Sequence, residues 1–374
     1  MKKTARADAV FVAVFALFVA IPNLHFSRAE VSTKENRTLA TFKPLFTGGQ
    51  FNEAFPADFE AFYADRFFGR EVLLALSQTL TSRFVVSKET IGNERVLIGQ
   101  EGWLFIRDNN SERNFMNIDY FTEAELSNIL TYLTDIKAFC DERDKRFVFF
   151  IAPDKSKIYG EYYPALIKKQ NPDTASRAFQ LVDYIKQNSD VQVVYPWERL
   201  IREKSKGDML YIKTGTHWTH LGSYFGYEEL FNVLQVNSID FFEYEEIVGD
   251  WDSIHDLFPE GTTRNLETVY RIPKIESSYS QVEKPDIFSS RKTSFYTECV
   301  GKGHNTVFFC DSFTWTDYGL KRYASNSFAT VNYFRRYNIQ NSDLDILNQA
   351  DIIILSVVER MLPQLAKLHF PTFD

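Results

Sequence analysis

From Thr122 onward the sequence alternates between stretches of helix length and short apolar runs, and this alternation restricts the fold more than any other feature. The clearest apolar run is Phe147–Ala152, which Pro153 ends and which has the composition of a strand buried on both faces. Strands that alternate with helices form a mostly parallel sheet covered by helices on both faces. We therefore predict a three-layer α/β domain. The predicted helices are Thr122 to about Lys145, Thr174–Asn188, Leu221–Leu234 and Leu344–Gln349, and the predicted strands are Phe147–Ala152, Val191–Tyr195, Met209–Thr214, Thr306–Cys310, Phe328–Asn332 and Ile352–Val357.

Two regions interrupt or precede this alternation. Residues 30–110 contain a Phe-rich stretch with helical spacing, Phe51–Val86, and then two apolar runs flanking a Gln-Glu-Gly turn, which predicts a hairpin. We interpret residues 30–110 as an approach segment packed on the main domain, residues 111–374. Residues of about 243–298 mix polar and apolar positions without a period and are interpreted as an insertion into that domain.

The N-terminus, residues 1–29, has the features of an export signal. Lys2, Lys3 and Arg6 precede the apolar run Ala9–Ile21, and basic residues before an apolar core direct the following chain across a membrane. A helix over the 16 residues Ala9–Leu24 would be roughly 24 Å long, shorter than a hydrocarbon core of about 30 Å. A cleaved signal peptide and an uncleaved transmembrane anchor both remain open, and either one predicts an extracytoplasmic main domain, in the periplasm or at the cell surface.

The charge distribution argues against a nucleic-acid partner. The formal net charge is −8, and no block of basic residues occurs that could neutralise phosphates. Aromatic residues make up 16% of the chain. They fit a Phe-rich core, or in part a surface on which sugar rings stack.

Three groups of polar residues follow predicted strands and are therefore expected at the carboxyl edge of the sheet. They are Asp154 after the first strand, His217 after Met209–Thr214, and Asp311 with Ser312 after Thr306–Cys310. A serine at such a turn can act as a nucleophile if a base lies within hydrogen-bond reach, and His217 is the natural partner. On these residues alone, Ser312 could equally be a helix cap and His217 a structural hydrogen-bonding group.

No metal or cofactor is predicted. His217 and His220 are three residues apart, but no Glu or Cys near them completes a zinc-ligand pattern.

Six short motifs, in order along the chain, resemble the alginate O-acetyltransferase AlgJ/AlgX family, whose domain is SGNH-hydrolase-like. They are ENRTLA at 35–40, FEAFYADRFFGR at 59–70, VLIGQEGWLF at 96–105, IAPDKSKIY at 151–159, KTGTHWTHLG at 213–222 and CDSF at 310–313. The resemblance implies an SGNH-like fold with Ser312 as nucleophile and His217 as base. It also implies that backbone N–H groups at the Ser312 turn help to hold an oxyanion.

Two positions depart from the family pattern. The family has an Asp two residues before the His, where this chain has Gly215, and a Gly before the Asp-Ser pair, where this chain has Cys310. That Asp orients the imidazole, and loss of this role has lowered the turnover of a serine hydrolase about 10⁴-fold. Another carboxylate substitutes, or Ser312 and His217 work as a weak dyad, or the protein no longer catalyses. Asp154, Asp208 and Asp311 are candidate acids or supporting residues.

The resemblance implies O-acetyl transfer to hydroxyls of a secreted or cell-surface polysaccharide. The implied partners are a membrane-bound O-acyltransferase, which delivers the acyl group, and the polysaccharide acceptor. A degenerate binding or scaffold subunit of an acylation complex and a carbohydrate O-acetylesterase are the alternatives.

Overall fold

The computed structural model describes residues 20, 23, 25–32, 37–70, 72–73, 92, 95–108, 110–241, 243–257, 262–282 and 294–372. The chain divides into two compact units, residues 1–87 with 257–261 and residues 88–256 with 262–374. The predicted helix Ala9–Leu24 falls almost wholly outside the described residues. Within the described part of the chain, no helix combines the length and the apolar character that a membrane span requires.

The described residues of the smaller unit form two short antiparallel strand pairs and a helix of three turns. The pairs are β1 (Val31–Ser32) with β2 (Arg37–Thr38) and β3 (Phe46–Thr47) with β4 (Gln50–Phe51), and the helix is α1 (Phe55–Arg66). The buried Arg66 donates hydrogen bonds to the carbonyls of Ser27 and Ala29, and the neighbouring Asp65 accepts one from Ala40 N. The bond between Asp65 and Ala40 joins two of the family-like motifs, 59–70 and 35–40, within the unit.

A seven-stranded mixed sheet forms the centre of the larger unit. Its strands are β7 (Arg146–Ala152), β8 (Gln192–Val194), β11 (Tyr279–Val282), β12 (Ser294–Cys299), β13 (Asn305–Phe309), β14 (Thr330–Phe334) and β15 (Ile352–Val358). Their order across the sheet is β11-β12-β14-β13-β15-β7-β8. The pairings from β14 to β8 are parallel, and those of β11 with β12 and of β12 with β14 are antiparallel. The predicted α/β class is therefore confirmed, with a sheet that is parallel except at one edge.

Helices cover both faces of this sheet. They are α2 (Ser111–Phe115), α3 (Glu123–Asp141), α4 (Lys155–Ile158), α5 (Arg177–Asn188), α6 (Trp197–Lys204), α7 (His220–Leu234), α8 (Ser312–Trp315), α9 (Lys321–Ser327) and α10 (Leu344–Gln349). Successive residues of a strand point to opposite faces. In β7, Val148 and Phe150 pack in the same cluster as α7, whereas Phe147 and Phe149 pack in the cluster that contains α3 and α5. Burial of each such aromatic contributes roughly 1.5–3 kcal/mol, and this burial holds the parallel strands in place.

The helix predicted from Thr122 begins as expected. Thr122 Oγ1 accepts a hydrogen bond from Glu125 N (3.3 Å), and Glu125 Oε2 accepts one from Thr122 N (2.8 Å). This reciprocal capping box satisfies two N–H groups that the first turn would otherwise leave free.

The region interpreted as an insertion contributes to the sheet and to a separate hairpin. Strands β9 (Tyr244–Val248) and β10 (Val269–Pro273) pair antiparallel with each other, while β11 and β12 extend the antiparallel edge of the main sheet. Outside this region, Val96–Ile98 (β5) and Leu104–Ile106 (β6) form the predicted hairpin. This hairpin belongs to the larger unit.

The prediction of a strand at Met209–Thr214 is wrong. This segment folds back on itself, with Tyr211 bridging to Trp218 and Ile212 N donating to the His217 carbonyl (3.1 Å). Leu210, Tyr211 and Ile212 are fully buried, so the apolar run indicates burial correctly but not sheet pairing. Instead of a strand, the segment forms a tight loop that presents His217.

Candidate active site

Ser312 begins α8 directly after β13, Cys310 and Asp311. The Asp311 side chain accepts hydrogen bonds from Phe313 N (2.8 Å), the Tyr337 hydroxyl (2.7 Å) and Val358 N (2.6 Å). Burial raises the pKa of Asp311, and these hydrogen bonds offset only part of the increase. Asp311 therefore fixes the serine turn to the ends of β14 and β15, and none of its hydrogen bonds reaches His217.

The same residue determines which backbone donors of the turn are available. Phe313 N donates to the Asp311 side chain, while Thr314 N (3.1 Å) and Trp315 N (3.2 Å) donate to its carbonyl. Ser312 N–H is the donor of this turn that Asp311 does not engage. The resemblance implies that several backbone N–H groups of this turn hold an oxyanion. The number available in the turn is smaller than that.

His217 lies between Ser312 and a carboxylate. Its Nε2 is 2.7 Å from Ser312 Oγ, and its Nδ1 is 2.7 Å from Asp252 Oδ2. The two residues that the sequence places 95 positions apart are thus in hydrogen-bond contact. The His217 side chain is 13% exposed, and that of Asp252 is 23% exposed, so both are shielded but reachable from solvent.

Asp252 is the residue that sequence reasoning missed. Burial alone would raise the pKa of this carboxyl. The hydrogen bond and charge of His217, together with the Thr216 N–H and the charge of Lys155, outweigh burial, so the pKa is lowered. Asp252 is therefore an ionised carboxylate at neutral pH, the form that holds a protonated imidazole. It lies in the region interpreted as an insertion, and the pair of carboxylates around Trp251 was the one available signal there.

The segment that carries Asp252 is tied to the loop that carries His217. Asp250 accepts hydrogen bonds from both Thr214 N (2.6 Å) and the Thr214 hydroxyl. Ile254 N donates to the Thr214 carbonyl (2.8 Å). These bonds flank Asp252 on both sides and therefore set its carboxylate against the His217 ring.

Gly215 leaves the space that Asp252 occupies. A Cβ atom added at Gly215 would lie 2.7 Å from the Asp252 carbonyl oxygen and 2.8 Å from Asp252 Oδ2, closer than Cβ atoms approach in proteins. The absence of a side chain at position 215 thus makes room for the Asp252 carboxylate. The carboxylate contacts His217 from position 252, and position 215 has no room for a side chain.

The buried Lys155 side chain binds the backbone of the loop that carries His217. Lys155 Nζ donates to the carbonyls of Ile212 (3.1 Å), Lys213 (3.1 Å) and Gly215 (2.6 Å). Burial lowers the pKa of Lys155 to about 7, although the charges of Asp250 and Asp252 counteract it. Lys155 thereby orients the backbone from which His217 projects.

The other carboxylates considered from the sequence lie elsewhere. Asp154 forms a buried ion pair with Arg360 (2.6 Å), and Asp208 pairs with Arg271 (2.8 Å). Neither of them, nor Asp311, hydrogen-bonds to His217. Among the described residues, no group of three or more His, Cys, Asp or Glu side chains could hold a metal ion.

The arrangement has the connectivity needed to activate a hydroxyl. The order Ser312 Oγ, His217 Nε2, His217 Nδ1, Asp252 Oδ2 links a nucleophile, a base and an orienting acid by hydrogen bonds of 2.7 Å. Such a chain supports acyl transfer on unrelated folds and in any chain order.

Comparison with known proteins agrees with this fold. Residues 96–252 match the family model described as SGNH hydrolase-like domain, acetyltransferase AlgX. The matched span contains His217 and Asp252 and ends before Ser312. No curated protein matches the sequence.

Several solved structures are similar to this chain at low sequence identity, and the first two described here have TM-scores above 0.5. A DHHW family protein from Eubacterium siraeum is 12% identical with a TM-score of 0.51, over 74% of this chain and 100% of that one. Bacillus cereus PatB1 with a sulfonyl adduct is 14% identical with a TM-score of 0.51, over 75% of this chain and 99% of that one. Pseudomonas aeruginosa AlgX is 15% identical with a TM-score of 0.46, over 75% of this chain and 65% of that one. The larger unit has an SGNH-like α/β fold, and the resemblance to the AlgJ/AlgX acetyltransferase family is confirmed over residues 96–252.

Proposed function

We propose that this protein transfers acetyl groups to hydroxyls of a secreted or cell-surface polysaccharide, with Ser312 as nucleophile, His217 as base and Asp252 as the acid that orients it. In this proposal the N-terminal apolar run holds the chain at the membrane, with the larger unit outside the cytoplasm. A membrane-bound O-acyltransferase supplies the acyl group.

The observation that carries the proposal is the contact of His217 with Ser312 on one ring nitrogen and with Asp252 on the other, each at 2.7 Å. Gly215 was the reason to consider a scaffold that had lost catalysis. A carboxylate that reaches His217 from another position removes that reason.

In the first step, Ser312 Oγ attacks the carbonyl carbon of an acyl ester or thioester donor. A bond forms between Oγ and that carbon, and the serine proton moves to His217 Nε2. The bond from the carbon to the donor oxygen or sulfur then breaks, and His217 returns the proton to that leaving atom. Ser312 N–H points from the turn that presents Oγ and is a donor for the oxyanion of the intermediate.

In the second step, a sugar hydroxyl attacks the acyl-serine carbon. His217 Nε2 accepts the hydroxyl proton, the Oγ–carbon bond breaks, and the proton is delivered to Ser312 Oγ. The net result is a new acetyl ester on the sugar and a regenerated serine. Asp252 stabilises the imidazolium formed in each step.

The test compares acetylation of the exported polymer in four strains that carry the wild-type chain, a deletion, Ser312→Ala and the control Ser205→Ala. Ser205 is an exposed residue at the end of α6, and its hydroxyl donates to the Arg202 carbonyl of the same helix. We expect Ser312→Ala to lower the acetyl content to the level of the deletion, while Ser205→Ala matches the wild type.

Acetylation that persists in Ser312→Ala but disappears in the deletion would show a scaffold. Release of acetate from an ester without transfer to any sugar would show an esterase. Both outcomes contradict the proposal.

A further inference from the structure

A cavity of about 420 Å³ lies beside Ser312, at the ends of β13 and β14. Its walls include Ser312, Trp315, Arg335, Arg336, Tyr337 and Leu368. His217 and Asp252 are not among the residues that line it. The cavity therefore contacts the nucleophile on a side that the base does not occupy.

The geometry of acyl transfer gives this cavity a role, provided that Ser312 is the nucleophile proposed above. The tetrahedral carbon carries Ser312 Oγ, the oxyanion, the oxygen that enters or leaves, and the acyl chain. His217 must reach both Oγ and the entering or leaving oxygen, because it exchanges protons with them. The acyl chain therefore points away from His217, towards a space such as this cavity.

The volume of the cavity exceeds what an acetyl group needs. Beyond its carbonyl carbon an acetyl group adds a single methyl, a group about the size of one water molecule, whose share of liquid volume is about 30 Å³. A cavity of about 420 Å³ is more than ten times that volume. A chain of several atoms fits there.

The wall of the cavity also carries a positive charge that is available to a ligand. The Arg335 guanidinium lies 3.7 Å from the centre of the Trp315 ring and is exposed, and no carboxylate among the described residues pairs with it. Arg336, by contrast, donates from Nη2 to both carboxylate oxygens of Asp343, each at 2.6 Å. Stacking on an aromatic face leaves the N–H groups of a guanidinium free at its edge, where they fit a carboxylate.

Asp311 also lines the cavity, but its carboxylate does not neutralise the charge of Arg335. Both oxygens of Asp311 are engaged, one by Phe313 N and the other by the Tyr337 hydroxyl and Val358 N. Asp311 is thus directed into the protein, whereas Arg335 faces solvent.

We propose that the cavity is an acyl-binding pocket in which Arg335 binds a carboxylate at the far end of the acyl chain. Besides acetyl, Ser312 would then accept and transfer the acyl group of a dicarboxylic half-ester, such as succinyl, while the donor alcohol or thiol leaves. The atoms balance as in acetyl transfer, because the distal carboxylate is carried along unchanged.

The experiment uses the purified full chain and three para-nitrophenyl esters, those of acetate, butyrate and the succinate half-ester. Butyrate has the same number of carbons as succinate but no distal charge. We expect kcat/KM to be higher for the succinyl ester than for the butyryl ester by roughly tenfold or more, the size expected of a charge-assisted hydrogen bond. Arg335→Gln should abolish this preference by raising the KM for the succinyl ester.

Two further variants make the test specific. Arg143→Gln is the matched control, because Arg143 also lies over an aromatic ring, 4.1 Å from the centre of Phe139, but it follows the C-terminal end of α3 and does not line the cavity. It should keep the preference. Leu368→Trp, which narrows the cavity, should lower kcat/KM for both four-carbon esters relative to acetate.

Equal rates for the succinyl and butyryl esters in an enzyme that turns over the acetyl ester would overturn this inference and leave the proposed function intact. So would a preference that survives Arg335→Gln. If none of the esters acylates Ser312, the proposed function fails and this inference fails with it.

Discussion

A histidine that accepts a proton from serine becomes a cation, and the free energy of that cation depends on what holds its second ring nitrogen. In this protein the second nitrogen, Nδ1, is 2.7 Å from Asp252 Oδ2. His217 lowers the pKa of this carboxyl despite its burial. At the scale of single residues, the candidate chemistry rests on this pair as much as on Ser312.

The first prediction is that Asp252→Asn lowers kcat for acetyl-ester turnover by roughly 10³–10⁴-fold with little change in KM, because the amide cannot stabilise the imidazolium. Asp256→Asn serves as the control, since the Asp256 side chain is 79% exposed and lies 3.0 Å from His255 Nδ1. Steady-state kinetics of the two purified variants measure the effect. A wild-type kcat in Asp252→Asn would show that Asp252 is not the acid.

The sequence predicted two of the three residues that the structure brings into contact, and it did not indicate the third. Ser312 and His217 each follow an apolar run and fit a motif, so local pattern was sufficient. Asp252 is separated from His217 by 35 positions and lies in a region without periodicity. Its position is set by the hydrogen bonds of Asp250 and Ile254 to Thr214, which are tertiary contacts that no local pattern encodes.

At the scale of elements, the His217 loop is packed against the segment that follows β9. Lys155 binds three of its carbonyls, and Asp250 binds the Thr214 backbone and side chain. The close approach of Gly215 to Asp252 completes this packing. The loop and the segment therefore form a single unit that positions both neighbours of the His217 ring.

The second prediction is that restoring the family's Asp at position 215 damages this protein. Gly215→Asp forces the new side chain against the Asp252 backbone and places two carboxylates in one site. We expect kcat to fall about 10²-fold or more, the cost of a misplacement of about 1 Å. Gly303→Ala is the matched control, because a Cβ atom at Gly303 meets no atom within 4 Å.

An increase in turnover in Gly215→Asp would contradict this account. It would mean that the Ser312–His217 pair lacks an acid and that the contact with Asp252 is not productive.

Elements were predictable from the sequence where one physical signal dominated. The long helices have capping residues or strong periodicity, and β7 and β15 are continuous apolar runs because both of their faces are buried. The strand at Met209–Thr214 was wrong because burial in a loop gives the same apolar signal. The edge strand β11 and its neighbour β12 were not predicted, since β11 has a partner on only one side and β12 carries polar residues such as Thr297 and Glu298.

At the scale of the whole molecule, the packing of helices on both faces of the sheet also buries titratable groups. His220 begins α7, is 9% exposed, and packs against Trp251 and Tyr318. Burial lowers its pKa to about 4, with a further decrease from Arg322 and an opposing effect from Asp317. His220 is therefore neutral in the folded protein near neutral pH.

The third prediction is a loss of stability in mild acid that depends on His220. An unfolded chain protonates this residue below about pH 6.5, whereas the folded chain resists protonation until about pH 4. The unfolded state then binds more protons, so stability falls as the pH drops through this window. Between pH 7 and pH 5 the contribution is about 2 kcal/mol.

Urea unfolding at both pH values, followed by tryptophan fluorescence, measures this effect. His220→Phe should lose about 2 kcal/mol less than the wild type on acidification. Identical pH dependence in the two proteins would show that His220 titrates normally in the folded state.

The central claim is that Ser312 becomes acylated with the help of His217 and Asp252. Its most direct test is intact-protein mass spectrometry after rapid mixing of the purified chain with para-nitrophenyl acetate, followed by peptide mapping. We expect a mass gain of one acetyl group located on Ser312. That gain should be absent in Ser312→Ala, strongly slowed in Asp252→Asn, and discharged when a polysaccharide acceptor is added. An unmodified Ser312 in a folded chain that binds the polysaccharide, or an equal mass gain in Ser312→Ala, would contradict it.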